Sequence, residues 1–135
     1  REVVERITAE PGGKERGFLT VLVEAYLETE KLFDVPPNAF RPAPKIWSSV
    51  VRLITKRDVE ISNEKVFREL ISAGFQQKRK TILNNLKKAG KNLNEFSERR
   101  GGWGRILENS EIRPERRAES LELREWVNLS NSIGD

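Results

Sequence analysis

Cysteine and histidine are both absent from the 135 residues of this chain. Their absence excludes disulfide bonds, thiol nucleophiles, imidazole bases and the usual zinc sites, because these chemistries depend on those two side chains. We therefore expect no metal site. A chain without cysteine is compatible with a reducing cytoplasm, where we expect the protein to work.

Long apolar runs are absent as well. No stretch of 18 or more apolar residues occurs, which excludes a transmembrane helix and gives no reason to expect a membrane partner. The first ten residues, "REVVERITAE", are charged throughout and do not resemble a secretory leader. With 36% apolar and 34% charged residues, the composition is that of a globular chain of about one domain.

Acidic residues are missing from one basic segment. The net charge is only +4, so the distribution of charge matters more than its size. Residues 76–91, "QQKRKTILNNLKKAGK", contain no acid and carry Lys78, Arg79, Lys80, Lys87, Lys88 and Lys91. This segregation favours a polyanionic partner, and a solvated helix face is the open alternative. On one continuous helix, Lys80, Lys87 and Lys91 would share a face.

Apolar spacing in the first part predicts two helices and two strands. The helices cover residues 2–9 and 18–28, and the strands cover residues 31–35 and 48–55. The second strand, "SSVVRLIT", is rich in β-branched residues and is expected to be mostly buried. Residues 1–57 are therefore predicted to be an α/β fragment, the end of a mixed sheet.

Residues 58–135 are predicted to form a small all-α domain. A helix capped by Ser62 or Asn63 is predicted over 64–73, and a second helix runs from the break at Gly74 to about residue 89, where Gly90 suits a C-terminal cap. Three further helical segments are predicted near Trp103, at Pro114 and over about 121–133.

Four stretches carry a family resemblance. In chain order they are "FLTVLVEAY", "LFDVPPNAFRPAPKIWSSVVRL", "GFQQKRKTILNNL" and "IRPERRAESLELREW". They resemble the C-terminal half of the ribosomal RNA adenine dimethyltransferases of the KsgA/RsmA type, which N6-dimethylate two adjacent adenosines near the 3′ end of small-subunit rRNA. The resemblance covers nearly the whole chain and is weakest over residues 91–111.

The resemblance implies a fold for each part. Residues 1–57 would be the last helices and the last two strands of a Rossmann-like methyltransferase sheet, and residues 58–135 would be the helical rRNA-binding domain. The loop "FRPAPKIWS", residues 40–48, matches the family's "FxPxPKVxS" loop, in which Phe40 is the aromatic that stacks on the flipped-out target adenine. Arg41 and Lys45 are expected to meet the flanking phosphates. Relatives commonly have Asp or Asn where Trp47 stands, and the role of Trp47 stays open.

The resemblance also implies RNA contacts in the helical domain. "QKRKT" matches the family's "QxRRKTxxNxL" motif, and "RRAE" matches its "RAE" segment. Beside Arg41 and Lys45, the expected RNA-binding residues are Lys78, Arg79, Lys80, Lys87, Lys88, Arg116 and Arg117. The sequence leaves open whether Arg117 and Glu119 contact RNA or form an internal salt bridge.

Cofactor motifs are missing. In the family, glycine-rich and acidic motifs bind S-adenosylmethionine, and an Asn-Leu-Pro-Tyr-type motif holds the adenine amino group; none occurs in this chain. The resemblance implies that the cofactor is bound by a missing N-terminal part, and that this chain alone neither binds it nor transfers methyl groups. The implied partner of the full-length protein, expected to be a monomer, is the small ribosomal subunit.

Two alternatives stay open. One is a macrolide-resistance methyltransferase acting on large-subunit rRNA, whose loop is similar but whose C-terminal helices match less well. The other is a non-catalytic relative serving as a transcription or ribosome-assembly factor. An intact adenine-binding motif upstream would favour catalysis. A helix-turn-helix DNA binder does not account for residues 1–57.

Overall fold

The computed structural model describes residues 2–39, 41–42, 47–55 and 59–134. Helices α1 (Glu2–Ile7) and α2 (Phe18–Tyr26) precede a pair of strands, β1 (Leu27–Val35) and β2 (Ser48–Thr55). Five helices follow in the described part: α3 (Glu64–Gly74), α4 (Ile82–Lys87), α5 (Lys91–Glu98), α6 (Trp103–Asn109) and α7 (Leu123–Gly134). None of the described helices is long and apolar enough to cross a membrane.

The two strands form an antiparallel hairpin. Their register pairs Leu27 with Thr55 at one end and Val35 with Ser48 at the other, with an irregularity between Lys31 and Phe33. The prediction of two strands is confirmed, although β1 begins four residues earlier than the apolar pattern indicated. The pairing brings residues 35 and 48 side by side, so both ends of the intervening loop are fixed at one end of the hairpin.

The prediction that β2 is mostly buried is wrong. No residue of β1 or β2, all of which are described, is fully buried, and Leu53 and Ile54 are 51% and 49% exposed. Phe33 on β1 is 55% exposed. The reason is that the described sheet has only these two strands, so the apolar side chains of the hairpin have little to pack against.

The core is helical. On α3, the apolar residues recur at helical spacing, and Val66, Phe67, Leu70 and Ile71 are all at most 2% exposed. Asn63 begins this helix as predicted, because its side chain accepts a hydrogen bond from the backbone N–H of Val66 at 3.1 Å. Helix α7 packs against α3 and contributes the largest of the fully buried side chains, that of Trp126.

Helix α2 joins this helical core. Its Val21 and Ala25 are buried in the same cluster as the apolar residues of α3 and α7. Just before α2, the Arg16 guanidinium is fully buried and binds the Glu24 carboxylate at 2.8 and 2.9 Å and the Leu121 backbone oxygen at 3.0 Å. The hairpin therefore follows directly on a helix that is packed into the helical core. The division into domains at residue 57 stays a prediction.

The helices after Gly74 differ from the prediction. No single helix reaches residue 89: the chain turns over residues 75–81, α4 covers six residues, and α5, which the sequence did not reveal, follows. Gly90 does not end a helix but begins α5, since its φ of −63° and ψ of 166° are those of an N-cap. Pro114 lies in a turn, and the helical piece after it is the short 3-10 segment Ala118–Ser120.

Candidate RNA-binding surface

Three of the predicted RNA-binding residues share one turn. Lys78, Arg79 and Lys80 are exposed between α3 and α4. Two hydrogen bonds hold this turn from inside: the Asn85 side-chain nitrogen donates to the backbone oxygens of Gly74 and Gln77 at 2.8 and 2.9 Å. Asn85 is only 2% exposed, so these bonds form where water is excluded.

Asn85 is a site residue that the sequence reasoning missed. The signal that could have indicated it is its position inside the stretch "GFQQKRKTILNNL", which carries the family resemblance. A buried amide that satisfies two turn carbonyls fixes the backbone from which the cations project. Thr81 completes the arrangement, because its hydroxyl accepts from the Asn84 backbone N–H at 3.2 Å and so begins α4.

The predicted single basic face is wrong. Lys80 lies in the turn before α4, Lys87 is the last residue of α4, and Lys91 is the first residue of α5, so helical periodicity does not relate them. Lys87 and Lys88 are instead neighbours at the C-terminal end of α4. Cations are favourable there, because the carbonyl groups at a helix C-terminus carry partial negative charge.

The cations of this surface are not neutralised by acidic side chains. Among the described residues, none of the five forms an ion pair with an acidic side chain: Lys78, Arg79, Lys80, Lys87 and Lys88. All five are exposed. A set of unpaired cations so close together in the chain produces a local positive potential that attracts polyanions.

Arg116 and Arg117 are placed differently from each other. The Arg116 guanidinium binds the Glu125 carboxylate at 2.5 Å and the Ser120 backbone oxygen at 2.6 Å, so most of its donors point inward. Arg117 is exposed, and no salt bridge among the described residues joins it to Glu119. The internal salt bridge considered for Arg117 and Glu119 is therefore absent among the described residues, and Arg116 and Glu125 form one instead.

Glu125 has a lowered pKa. Burial alone would raise it, but the hydrogen bond from Arg116, the Glu122 backbone N–H and the nearby guanidinium charges outweigh the burial and stabilise the carboxylate. The Arg116 backbone oxygen also accepts from the Ile82 N–H at 2.6 Å, at the start of α4. This ion pair therefore supports the backbone beside the basic turn.

The loop predicted to hold the target base is only partly described. Phe40 and Lys45 lie outside the described residues, whereas Arg41 is described and exposed. At the base of the loop, the Ser49 hydroxyl donates to the Asp34 carboxylate at 2.5 Å, across the last pairs of the hairpin. Trp47 is 45% exposed at the point where the loop enters β2.

The described residues thus join a helical unit with an exposed basic turn to a hairpin whose ends hold the loop at residues 40–48. The family model described as ribosomal RNA adenine dimethylase matches residues 1–129. The chain belongs to the ribosomal RNA adenine dimethylase family.

Curated relatives carry a more particular name. The chain is 41% identical to the ribosomal RNA small subunit methyltransferase A of Bacillus cytotoxicus and 39% identical to that of Bacillus mycoides. Each match covers 98% of this chain and 45% of the relative. The chain therefore spans about half the length of the curated relatives it matches.

Solved structures share the fold. A dimethyladenosine transferase from Plasmodium falciparum superposes with a TM-score of 0.81 at 22% identity, over 99% of this chain and 54% of that one. The 23S rRNA methyltransferase ErmE superposes with a TM-score of 0.54 at 17% identity, over 88% of this chain and 46% of that one. At these identities the likeness shows the fold alone.

Proposed function

We propose that this chain is the RNA-docking C-terminal part of an S-adenosylmethionine-dependent rRNA adenine N6-dimethyltransferase that modifies two adjacent adenosines near the 3′ end of small-subunit rRNA. The observation that carries the proposal is the set of five exposed, unpaired cations around α4, in a chain that belongs to this family. The names of the curated relatives support the small-subunit substrate.

The basic surface suits contact with phosphates rather than with base edges. Its cations fall into two clusters, one in the turn at 78–80 and one at the end of α4 at 87–88. Each lysine or arginine that meets a phosphate releases condensed counterions, which supplies affinity without reading sequence. Structured RNA is recognised largely in this way, by shape and backbone. We propose that Arg117 contacts phosphates in the same way. Arg116 instead supports the backbone beside the basic turn through its ion pair with Glu125.

The loop at residues 40–48 is proposed to form one wall of the pocket for the flipped-out adenine. Phe40 stacks on the base, and Arg41 and Lys45 bind the flanking phosphates. In the full-length enzyme, Phe40→Ala is expected to lower kcat/KM by about 10–100-fold, because stacking on an aromatic contributes about 1–3 kcal/mol. Phe40→Tyr keeps the ring and is expected to be tolerated. Normal methylation by Phe40→Ala would contradict this role.

The exposed apolar side chains of the hairpin, which lie on both of its faces, are proposed to pack against the part of the relatives that this chain does not span. Leu32, Phe33, Val50, Leu53 and Ile54 are 37–55% exposed, and burying them would be favourable. In this proposal, that other part binds S-adenosylmethionine. Calorimetry is therefore expected to detect no cofactor binding by the 135-residue chain alone, and micromolar binding would contradict the assignment.

The test of RNA docking is the salt dependence of affinity. We expect the triple variant Lys80→Gln, Lys87→Gln, Lys88→Gln to bind small-subunit rRNA more weakly. Its log–log salt slope is expected to fall by about one unit for each phosphate that no longer meets a cation. The melting temperature is expected to change little, because exposed charges contribute only about 0–1 kcal/mol each.

A matched control removes the same charge elsewhere. Arg52→Gln, Lys65→Gln, Arg124→Gln also deletes three exposed cations, but none of them lies in the basic surface. We expect this control to keep the wild-type slope within about one unit. An equal fall in slope for both triple variants would mean that net charge alone attracts the RNA, and would overturn the assignment of a docking surface.

A further inference from the structure

Phe18 lies in the wall of two neighbouring cavities. It is the first residue of α2 and is 36% exposed. The first cavity, of about 440 Å³, is also lined by Arg6, Lys14 and Lys78. The second, of about 590 Å³, is also lined by Lys91. Both volumes fall in the range of about 300–1,000 Å³ that is usual for small-ligand sites.

The aromatic lining of the first cavity is firmly held. Phe75 lines it and stacks on the fully buried Trp126, with ring centroids 5.5 Å apart and planes inclined by 28°. Phe18 itself belongs to α2, whose Val21 and Ala25 are locked in the helical core. A ring on such a support loses little conformational freedom when a flat ligand stacks on it.

The charge of the first cavity is positive. Lys78 donates to the Lys14 backbone oxygen at 2.6 Å, which holds the lysine at the cavity without neutralising it. Among the described residues, Arg6, Lys14 and Lys78 form no ion pair, and the acidic side chain that lines the cavity is that of Glu15. Phosphate is the ligand group that such a cluster attracts.

The second cavity is less positive, because Lys91 is the one described cation of its lining that forms no ion pair. Arg68 lies 3.9 Å from Glu64, and the Glu69 carboxylate accepts from the Asn92 side chain at 3.1 Å. Polar amide and hydroxyl groups of Ser72 and Gln76 also line it. A base, which is flat and carries neutral donors and acceptors, fits this side of Phe18 better than a phosphate does.

We propose that Phe18 stacks on an unpaired base of the bound RNA, with an adjacent phosphate held in the first cavity by Arg6, Lys14 and Lys78. This inference rests on the RNA partner of the proposed function, and it adds a nucleotide site on α2, separate from the loop at residues 40–48. An acidic peptide would use the cations but leave the exposed ring without a partner, and a base inside a duplex does not present its face to a ring.

The experiment compares two polyanions of equal length. The probes are a short single-stranded RNA and the corresponding abasic ribose-phosphate oligomer, bound to the 135-residue chain and measured by fluorescence anisotropy. We expect wild type to prefer the RNA, and Phe18→Ala to weaken RNA binding by about 5- to 100-fold while leaving binding of the abasic oligomer unchanged. Phe18→Tyr keeps a stacking face and is expected to bind as wild type.

Phe33→Ala is the matched control. Phe33 is a more exposed phenylalanine on β1, outside both cavities, and its removal is expected to change neither affinity. If RNA binds tightly but Phe18→Ala has no selective effect, the stacking site is overturned while the proposed function stands. If wild type binds neither probe, the RNA-docking function of the chain is overturned as well. Circular dichroism of Phe18→Ala checks that the variant is folded.

Discussion

The hairpin and the helical part of this molecule contain similar apolar side chains but bury them to very different extents. Residues 48–55 are as rich in apolar side chains as α3, yet no residue of β1 or β2 is fully buried, whereas α3 contributes four apolar residues to a continuous core. The difference teaches that the helical part buries its own apolar side chains, while the hairpin leaves apolar side chains exposed on both of its faces, where they are available to pack against another segment.

The same truncation in the two regions is expected to produce the largest contrast. Leu70→Ala on α3 removes a side chain with 0% exposure and is expected to lower the free energy of unfolding by about 2–5 kcal/mol. Leu53→Ala on β2 removes one that is 51% exposed and is expected to cost less than about 1 kcal/mol. Urea unfolding of both variants measures this, and equal losses of stability would contradict the comparison.

A methyl group added to the core tests how tightly it is packed. A Cβ at Gly74 would come within 2.5 Å of the Trp126 ring and 3.1 Å of Ile82, so Gly74→Ala is expected to cost about 1–3 kcal/mol. A Cβ at Gly104 on α6 would meet no atom within 4 Å, and Gly104→Ala is expected to be neutral or stabilising by up to about 1 kcal/mol. Unfolding experiments that rank the two variants in the opposite order would show a loose core.

The two regions also differ in their ion pairs. Glu125→Gln breaks a half-buried pair with Arg116 and is expected to cost about 1–2 kcal/mol at neutral pH. Glu30→Gln on the hairpin breaks a pair with Arg52, whose side chain is 58% exposed while that of Glu30 is 65% exposed. This second change is expected to alter stability by less than about 0.5 kcal/mol. Thermal melts at constant ionic strength measure both, and equal effects would contradict the comparison.

The pH dependence has a definite sign. Because the pKa of Glu125 is lowered in the folded state, its contribution is fully present above the pKa of the unfolded chain and disappears as the pH falls through the lowered value. Wild type is therefore expected to lose more stability than Glu125→Gln on acidification. Parallel stability curves for the two proteins would contradict the role of the Arg116 bond.

A small effect is also expected at the junction of the two regions. The Tyr26 hydroxyl donates to the Glu64 carboxylate at 2.9 Å, and burial together with this bond raises the pKa of Tyr26. Tyr26→Phe is expected to cost about 0.5 kcal/mol, because the bond is exposed to water. A cost above about 2 kcal/mol in urea unfolding would mean that this bond, rather than α2 packing, fixes the hairpin.

Local signals predicted part of this fold. Periodic apolar residues indicated α1, α2, α3 and α7, and the Asn63 cap was readable because its partner is three residues away. The sequence could not predict whether Gly90 ends one helix or begins the next, because glycine is common at both ends of helices. Its φ of −63°, which is not the left-handed conformation of a C-terminal glycine cap, is a property of the folded chain.

Long-range interactions account for what the sequence concealed. The buried Arg16 donates to the backbone oxygen of Leu121, which is 105 positions away in the chain. Arg116 forms its ion pair with Glu125 on α7 and not with an acidic residue beside it in sequence. The basic segment at 76–91 was predicted as a polyanion surface from charge alone, but its shape depends on Asn85 folding the turn back on α3. The prediction that β2 is mostly buried was wrong, because the burial of a strand depends on the strands that lie beside it.

Hydrogen exchange of the chain, free and with small-subunit rRNA, tests the central claim most directly. We expect the amides of α3 and α7 to exchange slowest and those of β1 and β2 much faster in the free chain, since few buried side chains protect the hairpin. On addition of RNA, we expect exchange to slow over residues 76–91 and to stay unchanged in the two strands. Unchanged exchange over residues 76–91, with protection confined to the strands, would contradict the claim that the basic surface docks RNA.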